Sequence, residues 1–184
     1  MALLNSPICD REKVMPSFEL VNIDGKILKS TDLLGKSGTL IMFICNHCPY
    51  VKAIINKIVE TTNELEKLNI QSIAIMPNDT EKYPEDSFEN MKLFSKKHQF
   101  KFPYLIDKTQ EVSKNFGAVC TPDFFGFNSD NKLNYRGRIG LMKNLEFIGK
   151  TNDLLNAMTQ ISKTGEGPKE QFSSAGCSIK WKIN

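Results

Sequence analysis

Two strongly apolar runs, with an amphipathic segment between them, dominate the first half of the chain. Residues 39–44 (TLIMFI) and 70–76 (IQSIAIM) are rich in strand-forming residues, as expected of strands covered on both faces in a parallel sheet. Between the two runs, apolar side chains recur at helical spacing over residues 51–68, which predicts a long amphipathic helix. The pattern is that of a strand, a helix and a strand joined by a right-handed crossover.

Turn and helix signals extend this unit on both sides. Asp24-Gly25 lies between two partly apolar runs and predicts a β-hairpin. Apolar residues over 88–94 predict a helix, FPYLID (102–107) predicts a third strand, and Gly117 is placed to end a short helix in the left-handed conformation. Residues 118–139 hold two strand-like runs about a polar turn, which is the pattern of an antiparallel hairpin.

This order of elements predicts one α/β domain with a central mixed sheet flanked by helices. A chain of 184 residues has the length of a single domain, and a last amphipathic helix near residues 154–161 completes it. We place a leader at residues 1–15, the domain at 16–163 and a glycine- and serine-punctuated tail at 164–184. We expect the tail to lie over the domain.

Composition excludes several classes of function. Charged residues make up 24% of the chain and the net charge is +3, without a block or stripe of like charge, so we expect neither a nucleic acid nor a membrane as partner. No segment approaches the ~20 consecutive apolar residues of a membrane-spanning helix. The first residues also lack the long apolar core of a secretory signal. The sequence therefore predicts a soluble, cytoplasmic protein.

Two of the five cysteines, Cys45 and Cys48, stand where the first apolar run gives way to the long helix. Thiols react as thiolates, and a helix N-terminus can lower a thiol pKa from about 8.5 to roughly 3.5–7.5. We expect Cys45 to lie at such a terminus and to be the more ionised thiol, with His47 adding a donor or a positive charge. Cys45 is then the predicted nucleophile of disulfide exchange, and Cys48 is the resolving thiol.

Other interpretations of this pair stay open on the residues alone. Two small buried side chains at a strand end would look the same, and a binding module without turnover could keep the pair. A metal site using Cys45, Cys48 and His47 is a further alternative. Zinc usually takes about four protein ligands in a structural site, and there is one Cys-x-x-Cys, so we predict no bound metal.

Three segments, FICNHCPYVK (43–52), CTPDFF (120–125) and GCSIKW (176–181), carry a resemblance to a known family. They resemble the thioredoxin-like superfamily, in its redoxin branch of alkyl hydroperoxide reductase/thiol-specific antioxidant and peroxiredoxin-like proteins. The resemblance implies a thioredoxin-like fold with a central mixed β-sheet, an N-terminal β-hairpin and a C-terminal tail. It also implies that Pro122 follows a cis peptide bond facing the dithiol, and that Thr121 binds substrate through its backbone.

The resemblance further implies an antioxidant thiol-disulfide oxidoreductase. Its substrates would be protein or small-molecule disulfides, and a dithiol would supply the electrons. No organic cofactor is expected, because the exchanging sulfurs belong to the protein.

A peroxiredoxin-like thiol peroxidase, with peroxides as substrates, is the enzymatic alternative. Peroxiredoxins carry a Pro-x-x-x-Thr-x-x-Cys motif, but Ile41 and Cys45 stand at the Pro and Thr positions before Cys48. The arginine of that family is also missing from residues 121–123 (TPD). Such groups stabilise charge that develops on the peroxide, so the sequence favours disulfide exchange over peroxidase chemistry.

Two features of thioredoxins are absent as well. Ile44 stands where a Trp precedes the first cysteine, and Thr39 stands at the position of a buried Asp in the preceding strand. The sequence therefore identifies no proton acceptor for Cys48.

The remaining candidate groups are two thiols and an arginine. Cys120 lies two residues before Pro122, and Cys177 lies in the tail, where it could act as a resolving or regulatory thiol. Both are candidate accessory thiols of the site, and for Cys120 we favour a packed, non-reactive role. Arg136 is predicted to be a surface residue of a strand rather than an anion ligand.

Overall fold

The computed structural model describes residues 3–183; residues 1, 2 and 184, at the outer ends of the predicted leader and tail, lie outside the described residues. The strands are β1 (Leu3–Asn5), β2 (Glu19–Asn22), β3 (Ile27–Lys29), β4 (Gly38–Phe43), β5 (Ile70–Met76), β6 (Tyr104–Ile106), β7 (Cys120–Thr121), β8 (Asp123–Phe127), β9 (Leu133–Gly137), β10 (Met142–Lys143), β11 (Glu146–Phe147) and β12 (Ala175–Ser178). The helices are α1 (Pro49–Glu66), α2 (Phe88–His98), α3 (Glu111–Phe116) and α4 (Asp153–Thr164), with 3-10 turns at Ser30–Leu33 and Pro84–Asp86.

A mixed sheet forms the centre of the molecule. Its order is β3-β2-β6-β5-β4-β8-β9. The middle strands β4, β5 and β6 run parallel, whereas the outer pairs are antiparallel. The predicted strand-helix-strand unit, the hairpin at Asp24-Gly25 and the later hairpin of β8 and β9 are all confirmed.

Strand β4 is apolar from Leu40 to Phe43 because both of its faces are covered. Leu40 and Met42 belong to a cluster that includes side chains of α1, α2 and α4. Ile41 and Phe43 point to the opposite cluster, with Phe116 of α3. All six residues of β4 are buried, as expected of a central parallel strand.

Helix α1 connects β4 to β5 and carries the predicted amphipathic pattern. It begins at Pro49, where the missing N–H costs nothing because the first turn has no partner for it. Its buried face is formed mainly by Val51, Ile54, Ile55, Ile58 and Leu65. Over the described residues, no helix combines the length and the apolar character required to traverse a bilayer.

A second, small sheet was not predicted from the sequence. Strand β12 of the tail lies between β1 and β7, and both pairings are antiparallel. These strands have two to four residues, which is too short for an alternating pattern to stand out. The tail therefore lies over the domain at β7, beside the predicted Thr121-Pro122.

Two isoleucines in strands provide a matched test of this core. Ile41 of β4 is fully buried, whereas Ile27 of the edge strand β3 is 61% exposed. We expect Ile41→Ala to lower the free energy of unfolding by about 2–5 kcal/mol, because it removes buried methyl groups and leaves a cavity. Ile27→Ala should cost less than about 1 kcal/mol. Urea denaturation followed by circular dichroism measures both, and equal losses would contradict the assignment of β4 to the centre.

Candidate active site

The two cysteines flank the turn between the central strand and the long helix. Cys45 follows the end of β4, and Cys48 is the residue that immediately precedes the first helical residue, Pro49. Both thiols are free and buried, with 1% of Cys45 and none of Cys48 exposed. The dithiol therefore lies beneath the surface, at the carboxyl end of a parallel strand.

Thr121, with Pro122 after it, lies against the dithiol, as the family resemblance implied. The Cys45 Sγ lies 3.3 Å from the Thr121 hydroxyl oxygen, and the Cys48 thiol donates to the Thr121 carbonyl oxygen over 3.1 Å. The peptide bond between Thr121 and Pro122 is cis. One residue thus contacts both thiols, although it is 76 positions from Cys45.

The ionisation order of the two thiols differs from the prediction. Burial raises the pKa of Cys45 well above its ordinary value, and the Cys48 thiol and the Asp86 carboxylate add to this effect. A hydrogen bond from Cys45, together with the backbone N–H of Val51, outweighs burial and lowers the pKa of Cys48 to about 5. The expectation that Cys45 lies at the helix N-terminus is wrong, because Cys48 occupies the cap of α1.

A buried carboxylate that the sequence analysis missed lies beside Cys45. Asp86 is fully buried in the 3-10 turn before α2. Its Oδ1 accepts from the backbone N–H groups of Asn46 and His47 over 2.8 and 3.2 Å. Its Oδ2 lies 2.7 Å from both the Asn78 amide nitrogen and the His47 Nδ1. Asp86 therefore holds the middle of the Cys-x-x-Cys turn through main-chain hydrogen bonds.

No signal in the sequence distinguishes Asp86 from the other acids of its loop (PNDTEKYPEDS, residues 77–87). The loop carries four acidic residues among polar neighbours, which is typical of a solvated connection. Only the fold of the loop buries two of them, Asp79 and Asp86, and of these Asp86 is the one bonded to the Cys-x-x-Cys turn.

His47 is positioned by Asp86 and by an aromatic ring. Its imidazole stacks on Tyr83, with the ring centroids 5.7 Å apart, and 14% of the side chain is exposed. The hydrogen bond to Asp86 is the main cause of a raised pKa of His47, and it outweighs partial burial. A cationic imidazole therefore lies on the solvent side of the dithiol at mildly acidic pH.

Cys45, His47 and Asp86 are close enough together to be considered as ligands of a metal ion. One potential ligand atom from each lies within 4.8 Å of the others. The His47 and Asp86 atoms are at hydrogen-bonding distance from each other, and Asp86 already accepts three further hydrogen bonds. These residues are thus engaged with one another, and the group has fewer than the four protein ligands usual for structural zinc.

The accessory thiols occupy different positions relative to the dithiol. Cys177 on β12 is paired with Thr121, the residue whose carbonyl oxygen accepts a hydrogen bond from the Cys48 thiol. Cys120 directs its Sγ towards the Pro122 carbonyl oxygen, 3.6 Å away, and burial raises its pKa far above the ordinary value. The structure brings Cys177 into the thiol cluster and leaves Cys120 in a packing environment.

Arg136 is buried rather than on the surface, which corrects the sequence-based expectation. It is 7% exposed and donates to the Asp123 carboxylate over 2.8 Å, while its guanidinium lies over the Phe125 ring. A second hydrogen bond runs to the Gly117 carbonyl oxygen. Burial raises the pKa of Asp123 to about 6 despite this ion pair. Arg136 therefore secures the strand that follows Pro122, and its charge is already neutralised.

The parallel centre of the sheet, the dithiol between β4 and α1, and the proline that faces it define a thioredoxin-like protein. The AhpC/TSA family profile matches residues 12–136, and the chain belongs to this family. The thioredoxin domain of a thiol-disulfide oxidoreductase from Bacteroides vulgatus has the same fold, with a TM-score of 0.58, 15% identity and coverage of 69% of this chain and 87% of that one. The predicted fold class and family are thus confirmed.

Two relatives are closer in sequence. The crystal structure of an uncharacterized conserved protein from Geobacillus kaustophilus is 39% identical, has a TM-score of 0.92, and covers 100% of this chain and 98% of its own. The thiol-disulfide oxidoreductase ResA of Bacillus thuringiensis is 26% identical over 66% of this chain. This chain spans 65% of the length of ResA.

The pKa values of the two histidines test the ion pair between His47 and Asp86. We expect Asp86→Asn to lower the pKa of His47, because the hydrogen bond to the carboxylate is what raises it. His98 is the matched control, since burial and then Lys97 lower its pKa without any contribution from Asp86. Nuclear magnetic resonance titration of both imidazoles measures the change, and an unaltered His47 midpoint would contradict the role of Asp86.

The raised pKa of His47 also makes the free energy of unfolding depend on pH in a defined direction. Because the folded pKa of His47 is raised, its contribution to stability is complete below the unfolded value of about 6.5 and is lost as pH rises through the folded value. The difference in unfolding free energy between the wild type and His47→Gln should therefore shrink with rising pH across that window. A difference that grew instead would contradict the assignment.

Proposed function

We propose that this protein is a thiol-disulfide oxidoreductase in which Cys45 attacks a substrate disulfide and Cys48 resolves the mixed disulfide. The observation that carries the proposal is the contact of both thiols with Thr121, over 3.3 and 3.1 Å, next to Pro122. The backbone before such a proline is where the family resemblance expects a substrate strand to pair. The name of the relative ResA also supports this class of reaction.

The first step requires a thiolate at Cys45, and the pair itself can supply it. Thr121 contacts both thiols, and Cys48 is the base that takes the Cys45 proton as Cys45 attacks; because the pKa of Cys45 is the higher of the two, its thiolate is the minor form of the pair. Cys48 then donates to the Thr121 carbonyl oxygen, while the Thr121 hydroxyl can donate to the Cys45 thiolate. Attack on the substrate disulfide joins Cys45 to one substrate sulfur and releases the other as a thiolate.

The second step requires Cys48 to ionise, and its position at the cap of α1 favours this. The hydrogen bond from Cys45 is lost in the mixed disulfide, but the backbone N–H of Val51 and the helix N-terminus still stabilise a thiolate. Cys48 attacks the Cys45 sulfur and releases the reduced substrate. The protein gives up two electrons to the substrate, and a dithiol donor restores them.

Single cysteine variants test the two roles. We expect Cys45→Ser to reduce insulin disulfides no faster than dithiothreitol alone, because no sulfur is left to form the mixed disulfide. Cys48→Ser should accumulate mixed disulfides that gel electrophoresis resolves without reductant. Cys9→Ser is the control, since Cys9 packs with the cluster on the opposite face of the sheet and should leave activity unchanged.

Two results would contradict the proposal. Full activity of Cys45→Ser would exclude Cys45 as the nucleophile. Rapid consumption of peroxide that depended on Cys48 rather than Cys45 would favour the thiol peroxidase alternative. The pairing of Arg136 with Asp123 argues against that alternative, because this guanidinium is not free to stabilise a peroxide.

A further inference from the structure

Strand β12 lies against Thr121, which is hydrogen-bonded to both active-site thiols. Its Cys177 is paired with Thr121, and its Ser178 is paired with Cys120, in antiparallel register. If a substrate strand paired with the backbone of Thr121, it would take the position that β12 already holds. The tail therefore presents a cysteine to the dithiol in the manner expected of a substrate.

The approach of β12 to this edge is close enough to require a glycine. A Cβ at Gly176 would collide with the Thr121 carbonyl oxygen and crowd the Pro122 nitrogen. With the strand in place, Cys177 is 4% exposed, and Cys45 and Cys48 are 1% and 0% exposed. The three thiols thus form one enclosed cluster.

Hydrogen bonds hold the strand on both sides of Cys177. Before it, the Ser174 hydroxyl donates to the Pro122 carbonyl oxygen over 2.7 Å, and Ser174 and Ser6 exchange two more bonds. After it, the backbone N–H of Lys180 donates to Asn78, and the Gln110 amide donates to the Lys180 carbonyl oxygen, each over 2.9 Å. Cys177 is therefore held in register rather than lying near the dithiol by chance.

Within the cluster, Cys48 is linked to the tail strand through Thr121, because its thiol donates to the Thr121 carbonyl oxygen over 3.1 Å and Thr121 is the β7 partner of Cys177. We propose that Cys177 is a third redox thiol, which takes over the active-site disulfide by attacking Cys48. The proposal rests on the proposed function, which supplies the disulfide between Cys45 and Cys48. In the oxidised protein, the disulfide would then join Cys48 to Cys177 of the tail strand.

The step balances within the chain. The Cys177 thiolate attacks the Cys48 sulfur, the bond between Cys48 and Cys177 forms, and the bond between Cys45 and Cys48 breaks. Cys45 leaves as a thiolate and takes up the proton that Cys177 gave up. One disulfide replaces another, so neither oxidant nor reductant is consumed.

Oxidation of the dithiol also makes Cys177 easier to ionise. In the reduced protein, burial is the main cause of its raised pKa, and the hydrogen bond and charge of Cys48 raise it further. Both contributions of Cys48 disappear when its sulfur is in a disulfide. Lys180, whose ammonium group donates to the Ser178 carbonyl oxygen, continues to favour the Cys177 thiolate.

Peptide mapping after oxidation tests the proposal without relying on turnover. Trypsin places Cys45 and Cys48 on residues 37–52, Cys120 on 115–132 and Cys177 on 170–180. Cys45→Ser, oxidised with diamide and digested without reductant, should yield 37–52 joined to 170–180. The wild type should yield the same joined pair together with 37–52 carrying an internal disulfide.

Matched variants identify the sulfurs involved. The joined pair should persist in Cys45→Ser/Cys120→Ala and should disappear in Cys45→Ser/Cys177→Ser. Oxidised Cys45→Ser with Cys48 and Cys177 both still free to alkylation after denaturation would overturn the proposal. So would a joined pair that is present in that variant and absent from the oxidised wild type.

A variant that displaces β12 but keeps every cysteine provides a second test of the joined peptides. Gly176→Ala should displace β12 and lower the fraction of joined peptides several-fold, with folding checked by circular dichroism. An unchanged fraction in the folded variant would contradict the proposal. Wild-type protein that reduces insulin and forms only the internal disulfide of 37–52 would overturn the third-thiol role alone, whereas a joined pair without insulin reduction would contradict the proposed function alone.

Discussion

The antiparallel pairing of β8 with β4 is the interaction on which the site depends. Phe43 is opposite Asp123 in that pairing, so the next residues on each side, Ile44-Cys45 and Thr121-Pro122, meet at the same edge of the sheet. A slip by one residue would move the apolar side chains of both strands to the wrong faces, so the two hydrophobic clusters hold the register. The stability of the core and the geometry of the dithiol thus have a common origin.

The electrostatics of the dithiol come from three directions that converge on this edge. The capped end of α1 stabilises negative charge at Cys48, and Thr121 offers a hydroxyl to Cys45 and a carbonyl oxygen to Cys48. Asp86 enters from the loop after β5 and binds the turn between the two cysteines. Where a thioredoxin would have a buried acid in the preceding strand, this chain has Thr39 and places its buried acid in another element.

The tail is held by one of the side chains that also positions Asp86. Asn78 donates to the Asp86 carboxylate and accepts from the backbone of Lys180, so one side chain links the turn of the dithiol to the anchor of β12. Displacement of the strand would therefore disturb the setting of His47 and Asp86. The proposed disulfide at Cys177 would have this physical route to the turn between Cys45 and Cys48.

The sequence by itself determined the central elements and the place of the Cys-x-x-Cys between them. The apolar runs of β4 and β5, the helical period of α1 and the Cys-x-x-Cys between them are local patterns, and each is stable only in the predicted arrangement. The tertiary structure alone decided that Cys48 caps α1, that Asp86 and Arg136 are buried, and that β12 lies against Thr121. Those outcomes depend on desolvation and on charges brought together from distant positions, and neither leaves a periodic signal along the chain.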